Sequence, residues 1–227
     1  MSDMTVLDLR GVSETLLMPL YVRAIESQCP DALLRDEVAV ALVAQAPGAF
    51  TRVQKIRMDE DDRVALIMRN RQMDHYAQDF LSRWPSAVVV HIGCGLDTRF
   101  ARVDNGVVEW YDLDLPEVIA LRCELIGGET GRYHHLANSV FNPAWLDTVA
   151  VHRDRPVLFL AEGVFMYFEE AQVKTLVLAL RGRFPGAELV FDAFSSAKAS
   201  APSVPPRFSD RGRRSAFTWY GCRLASG

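Results

Sequence analysis

The chain has 227 residues, 49% hydrophobic and 24% charged, which suits one globular domain with a sizeable core and a small cap. A formal net charge of −4 excludes an electrostatic case for nucleic-acid binding. No apolar run reaches the roughly 20 residues of a membrane helix, and the N-terminus "MSDMTVLDLRGVSETLL" lacks the basic start and apolar centre of a signal peptide.

The first 84 residues read as a helical cap. "VSETLLMPLYVRAIES" offers Ser13 as N-cap and Leu16, Leu17, Leu20 and Ile25 as an apolar stripe. "PDALLRDEVAVALVAQAPG" opens at Asp31, places Leu34, Val38, Ala41 and Leu42 on one face, and stops at Pro47-Gly48. "EDDRVALIMRNRQMDHYAQDFLSRW" begins with acids, which suit the positive end of a helix dipole, and ends before Pro85.

From residue 85 to 195 the pattern alternates. "AVVVHIG" is a continuous apolar strand of the kind covered on both faces. "GVVEWYDLD" is a second strand, followed by the helix "PEVIALRCELIG" with Val118, Leu121, Arg122 and Leu125 on one side. "RYHHLANSV" is a weak third strand and "RPVLFLAEG" a strong fourth. "EEAQVKTLVLALRGRF" is a helix with Val173, Leu176, Val177 and Leu180 in phase, and "AELVFDAFS" is a fifth strand. Strands alternating with helices predict an α/β fold with a doubly wound parallel sheet. Residues 196–227, rich in Ser, Pro, Arg and Gly, are expected to be an irregular tail.

In such a sheet ligands bind beyond the carboxyl ends of the strands. The first strand leaves through Gly93-Cys94-Gly95, where the backbone can turn sharply and a ligand approach closely. About twenty residues on, the second strand ends in "YDLDLP", and Asp114 there can accept hydrogen bonds from a ribose diol or cap the helix at Pro116. Thr98 stands where a dinucleotide fingerprint has its third glycine, and there is no P-loop. This disfavours a nicotinamide oxidoreductase and points to a nucleoside without a pyrophosphate, which S-adenosylmethionine satisfies. Glu162 ends the fourth strand, a carboxylate at an apolar position that is expected to accept from a cationic group. Asp97 suits an N-cap for the next helix as well as it suits a cofactor contact. Cys29, Cys94, Cys123 and Cys222 form no CxxC pair or zinc spacing, so no metal and reduced thiols in a cytoplasmic protein are expected.

"VVVHIGCGLDTRFAR", "WYDLDLPEVIALR" and "FLAEGVFMYF" resemble the leucine carboxyl methyltransferase-like family, and within it the tetracenomycin-type polyketide O-methyltransferases. "VSETLLMPLYVRAIES" and the spacing at Cys29-Pro30-Asp31-Ala32 fit the same subgroup, and the resemblance runs from about Val12 to Ser195. It implies a class I methyltransferase fold with a Rossmann-like core, S-adenosyl-L-methionine as cofactor and methyl transfer to an oxygen of a polyketide-like or carboxylate acceptor. By position, Gly93 lies beside the methionine portion of the cofactor, with Gly95 in the same turn. Asp114 matches the ribose acid, Ser139 falls where the family often has an Asp near the adenine, and Glu162 closes the methionine end. The family also uses an N-terminal arginine for the cofactor carboxylate. Arg69 shares a helical face with Met73, Tyr76 and Phe80, whereas Arg71 lies about 200° round the helix, so Arg69 is the choice.

A carboxylate acceptor needs no base, whereas a phenol does. His75, Tyr76, His134, His135 and Tyr167 could serve, and no spacing singles one out, so the catalytic residue is unassigned. The partner is a small-molecule acceptor, with no nucleic acid and no membrane. The rival expectation is a catalytically impaired, truncated methyltransferase-fold protein that at most binds the cofactor. Methyltransferases of this class finish with an antiparallel hairpin after the fifth strand, and "FTWYGCRLASG" stops where that continuation should begin. An open sheet edge there would invite self-association.

Overall fold

The computed structural model describes residues 14–56, 58–194 and 217–224. Ser13, the expected cap of the first helix, lies outside them. Helices α1 (Glu14–Ser27), α2 (Glu37–Gln45), α3 (Thr51–Lys55) and α4 (Glu60–Arg83) come first. Then β1 (Val88–Ile92), α5 (Arg99–Val103), β2 (Glu109–Asp114), α6 (Pro116–Leu125), β3 (Tyr133–Ala137), α7 (Ala144–Val149), β4 (Val157–Ala161), α8 (Glu170–Arg183) and β5 (Glu188–Phe194) alternate. A last strand, β6 (Phe217–Arg223), closes the order β3-β2-β1-β4-β5-β6. The first five strands are parallel, as expected, and β6 is antiparallel to β5.

The cap differs from the sequence expectation in detail. Helix α2 starts six residues beyond Asp31, at Glu37, because Asp36 caps it: the Asp36 carboxylate accepts the Ala39 N–H at 3.0 Å. The buried face is therefore Ala39 and Leu42, and Ala41 is exposed. Ile25 also faces solvent, since the inner side of α1 is Leu17, Leu20 and Ala24. The 47–50 turn and α3 were unforeseen; Pro47 ends α2 without ending helical structure.

The continuous apolar run of β1 has the anticipated cause. Val88, Val90 and Ile92 face one core with Trp145, Leu180 and Phe184, while Val89 faces the other with Met73, Ala77 and Phe80 of α4. The fifth strand is not the edge of the sheet. Residues 217–223, expected to be irregular, pair with the whole of β5 from Glu188↔Arg223 to Phe194↔Phe217. The expected open edge at β5 is corrected by this pairing. The "FTWYGCR" stretch carries the β-branched and aromatic residues that strands favour, but Gly221 within it and the arginine-rich sequence before it masked the alternation.

Helix α6 and β2 share a buried ion pair. Arg122, on the apolar side of α6, sits 2.5 Å from Asp112, and both are fully buried. Asp112 also accepts from Tyr133 Oη at 2.6 Å and Trp110 Nε1 at 2.8 Å. Burial pushes the Asp112 carboxyl up, but Arg122 and then His91 and Tyr133 outweigh it and hold it below the ordinary carboxylate range. A carboxylate held low stabilises the fold fully above its unfolded value of about 4, and that contribution is lost as pH falls towards the folded value. Arg122→Leu should therefore reduce unfolding free energy by about 3–5 kcal/mol at pH 7, the cost of a broken buried pair. The difference from wild type should shrink towards pH 3, as urea denaturation at the two pH values will test.

Candidate active site

The turn after β1 is built by its neighbours. Gly93 and Cys94 donate their N–H groups to Leu113 O at 2.7 and 3.2 Å, which bends the chain across the end of β2. Gly93 has φ +63°, and a Cβ there would stand 2.4 Å from Val164 Cγ2, so a side chain is excluded twice over. Two arginines then clamp the outer carbonyls. Arg122 Nη1 donates to Gly95 O at 3.0 Å, and Arg23 Nη2 of α1 donates to Leu96 O at 2.9 Å.

Asp114 closes the turn from below. Its Oδ2 accepts the Gly95 N–H and its Oδ1 the Leu115 N–H, both at 2.8 Å. Helix α6 is therefore entered through Leu115, with no side-chain cap at that residue. Each Asp114 oxygen retains acceptor capacity. Burial pushes this carboxyl up, offset in part by the two N–H donors. Ser139 lies alongside: Asn138 N–H donates to Asp114 O at 2.9 Å, and the Ser139 hydroxyl accepts from Phe141 N at 3.3 Å.

The second group surrounds Glu162, just beyond β4. Arg69 Nε and Asn70 Nδ2 donate to its Oε1 at 2.8 Å each, and Arg99 Nη2 donates to its Oε2 at 2.5 Å. Burial raises the Glu162 carboxyl, and Arg99 and Arg69 more than reverse this, leaving it lowered. Arg69 also stands 3.7 Å from Asp192 of β5, and its guanidinium packs over Gly163. Arg71 is outside this network, as the helical phase of α4 predicts.

Asp97 is not a helix cap, since Thr98 holds that position in α5. Its carboxylate instead meets Arg102 at 2.9 Å and Arg99 at 3.0 Å. Burial would raise it, but Arg102 and Arg99 hold it well below the usual range. Arg99 and Arg102 share Asp74 of α4 at 2.7 Å each, and Arg102 continues to Asp36 at 3.1 Å. Asp36 also takes Arg23 at 2.8 Å and the Thr98 hydroxyl at 2.5 Å. His91 of β1 accepts through Nε2 from Arg99 at 2.9 Å, which leaves its proton on Nδ1, 3.5 Å from Asp112 Oδ1. One imidazole thus joins the two buried polar clusters beneath the strand ends.

All six sequence-chosen residues gather at the carboxyl ends of β1 to β4. Gly95 bonds to Asp114, Arg69 bonds to Glu162, Gly93 packs on Val164, and Ser139 adjoins the strand end that carries Asp114. The sequence marks the Asp97-Thr98-Arg99 turn as one that fixes the loop, but not Arg99's reach to Glu162, and it does not mark Arg23, Asp36, Asp74, Arg102 or Asp192. Its available signal was charge on apolar faces, as at Arg23 behind Leu20 and Asp192 within "LVFDAF". Of the considered bases, His134 is held by Glu109 at 2.5 Å and His135 by Cys123 at 3.1 Å. Tyr167 lies on the Glu162 loop and is 54% exposed.

The residues present fit a nucleoside cofactor with a charged tail: a glycine turn, a ribose-competent acid and a buried charged cluster converge, with no phosphate cradle. Fold and site together define a class I S-adenosylmethionine-dependent methyltransferase. A solved structure of a candidate methyltransferase from Thermobifida fusca YX shares the fold, with a TM-score of 0.50, 17% identity, and 80% of this chain and 68% of that one covered. The leucine carboxyl methyltransferase family model matches residues 16–180, and the chain belongs to that family. It is 39% identical over 186 residues to the tetracenomycin polyketide synthesis O-methyltransferase TcmP of Streptomyces glaucescens, covering 82% of this chain and 67% of that protein. It is 30% identical to the S-adenosyl-L-methionine-dependent methyltransferase dpfgK of Gibberella zeae, over 93% of this chain and 76% of that protein.

Arg99→Met should cost about 3–5 kcal/mol, because it removes one cationic partner from each of three buried carboxylates and leaves their charge undercompensated. Urea unfolding measures this, and a loss below about 1 kcal/mol would mean that the network behaves as a surface one.

Proposed function

We propose that the protein transfers a methyl group from S-adenosylmethionine to an oxygen of a small, largely apolar acceptor, a polyketide-like phenol or a carboxylate. The carrying observation is a set of exposed apolar side chains after the strand ends: Leu115, Phe141 and Tyr167, which follow β2, β3 and β4 in turn, are all large and exposed, and Phe141 packs edge-on against Phe168 at 4.7 Å. Such side chains suit a flat apolar molecule that docks beside the strand ends. The family membership and the similarity to a polyketide O-methyltransferase support the same reading.

When bound, the cofactor would supply an activated methyl on a sulfonium, with the neutral thioether as leaving group. The chain's part is to bind, orient and exclude water. Asp114 takes the ribose hydroxyls through its remaining lone pairs, with Ser139 towards the adenine. Gly93 and Gly95 let the backbone approach the methionine portion. Arg69, held by Glu162, faces the cofactor carboxylate, and Glu162 borders the methionine end through that hold. For a phenolic acceptor, Tyr167 is the exposed hydroxyl on the Glu162 loop. The free thiols Cys29, Cys94 and Cys123 support a cytoplasmic setting, and no helix among the described residues is long and apolar enough to cross a membrane.

Calorimetric titration with S-adenosylmethionine should give binding that Asp114→Ala weakens by about 1–3 kcal/mol, the range for a lost charged hydrogen-bond partner. Unchanged affinity in a folded variant would reduce Asp114 to a turn-holding residue. In the same assay Arg69→Met should lose affinity and Arg71→Met should keep it; the reverse would invert the assigned face of α4. Methyl transfer to phenolic and carboxylate acceptors, followed with labelled cofactor, decides between the two acceptor classes.

A further inference from the structure

Asp192 lies within β5, fully buried, and belongs to none of the sequence motifs. Its Oδ1 accepts the Gly163 N–H at 2.7 Å, so it sets the turn that follows Glu162. Its Oδ2 has no hydrogen-bond partner, with Arg69 Nη1 3.7 Å away. A buried carboxylate oxygen left unmatched is costly unless a cation answers it. The network offers no spare cation. Arg23, Arg69, Arg99 and Arg102 stand against Asp36, Asp74, Asp97, Glu162 and Asp192, so four positive charges face five negative ones. Glu162 already receives three donors. The formal surplus falls on Asp192, whose second oxygen has no hydrogen-bond partner and which sets the turn after Glu162.

We infer that Asp192 is a positioning and specificity residue that gives the methionine end of the pocket a net negative field, favouring a sulfonium over a neutral thioether. The inference rests on the cofactor reading above. Burial raises the Asp192 carboxyl and Arg69 lowers it, while Glu162 adds to the rise. A ligand cation nearby would favour its ionised form, and by linkage the ionised form would favour that cation. Because the field acts on the ligand's charge, its effect separates from the effect of turn geometry.

The test compares S-adenosylmethionine with S-adenosylhomocysteine, which lacks the sulfonium charge. Calorimetric affinities for both ligands are measured for the wild type, Asp192→Asn and Asp192→Ser. Asp192→Asn keeps an isosteric acceptor for Gly163 N–H and removes the charge, while Asp192→Ser removes the charge with a shorter side chain. The expected result is a loss of affinity for the sulfonium ligand about tenfold greater than for the thioether, the size expected of one charge at partly screened range. Equal losses, or none, in folded variants would overturn the inference and leave Asp192 structural. Failure of both variants to fold would do the same. If the wild type binds neither ligand, the cofactor reading itself falls.

Discussion

The constraint on which the rest depends is the buried guanidinium of Arg99. It has no access to water, so each of its donors must find an acceptor inside the protein. Asp74 comes from α4, Asp97 from the turn after β1, Glu162 from the end of β4, and His91 from β1 itself. Meeting that requirement fixes where α4 crosses the sheet and how the β1 and β4 ends are spaced. Neighbouring Arg102 and Arg23 extend the requirement to Asp36 and thus to α1 and α2. The cap is docked by ions as much as by Leu17, Leu20 and Ile67.

This arrangement holds the backbone in place where the ligand is expected to lie. The turn carbonyls of Gly95 and Leu96 are each held by an arginine from a different element, Arg122 of α6 and Arg23 of α1. Glycine is needed for approach, yet it is entropically loose. The two clamps remove that looseness without placing a side chain in the cleft. His91 lies between the two clusters, with its Nε2 accepting from Arg99 and its Nδ1 3.5 Å from the Asp112 carboxylate that pairs with Arg122.

Much of this was legible in the sequence. Continuous valines marked β1, the Gly93-Cys94-Gly95 exit marked the turn, and helical phase separated Arg69 from Arg71. What escaped is instructive. The apparent caps Asp31 and Asp97 gave way to Asp36 and Thr98, because acids near helix starts serve buried arginines here as well as N–H groups. Arg122 was visible on an apolar face, but its partner Asp112 lies in another element, and one-dimensional periodicity carries no information about pairing across space. Strand β6 escaped because its pairing with β5 spans a long intervening segment and its glycine-containing sequence lacks a clear alternation.

The order of the charges along the chain has a consequence for how the molecule assembles. Four arginines and three of their carboxylate partners lie by residue 102, whereas Glu162 and Asp192 come much later. Within this network alone, the part made first holds one more arginine than carboxylate, and burying that arginine before Glu162 is present carries a penalty. Strand β1 must also wait for β4, since Val88 pairs with Val157 across the whole β2–β3 segment. Long-range closure of this kind is slow. Glu162, which completes the pairing of Arg69 and Arg99, arrives at the cap only with β4, so the cap's ion network closes together with the sheet.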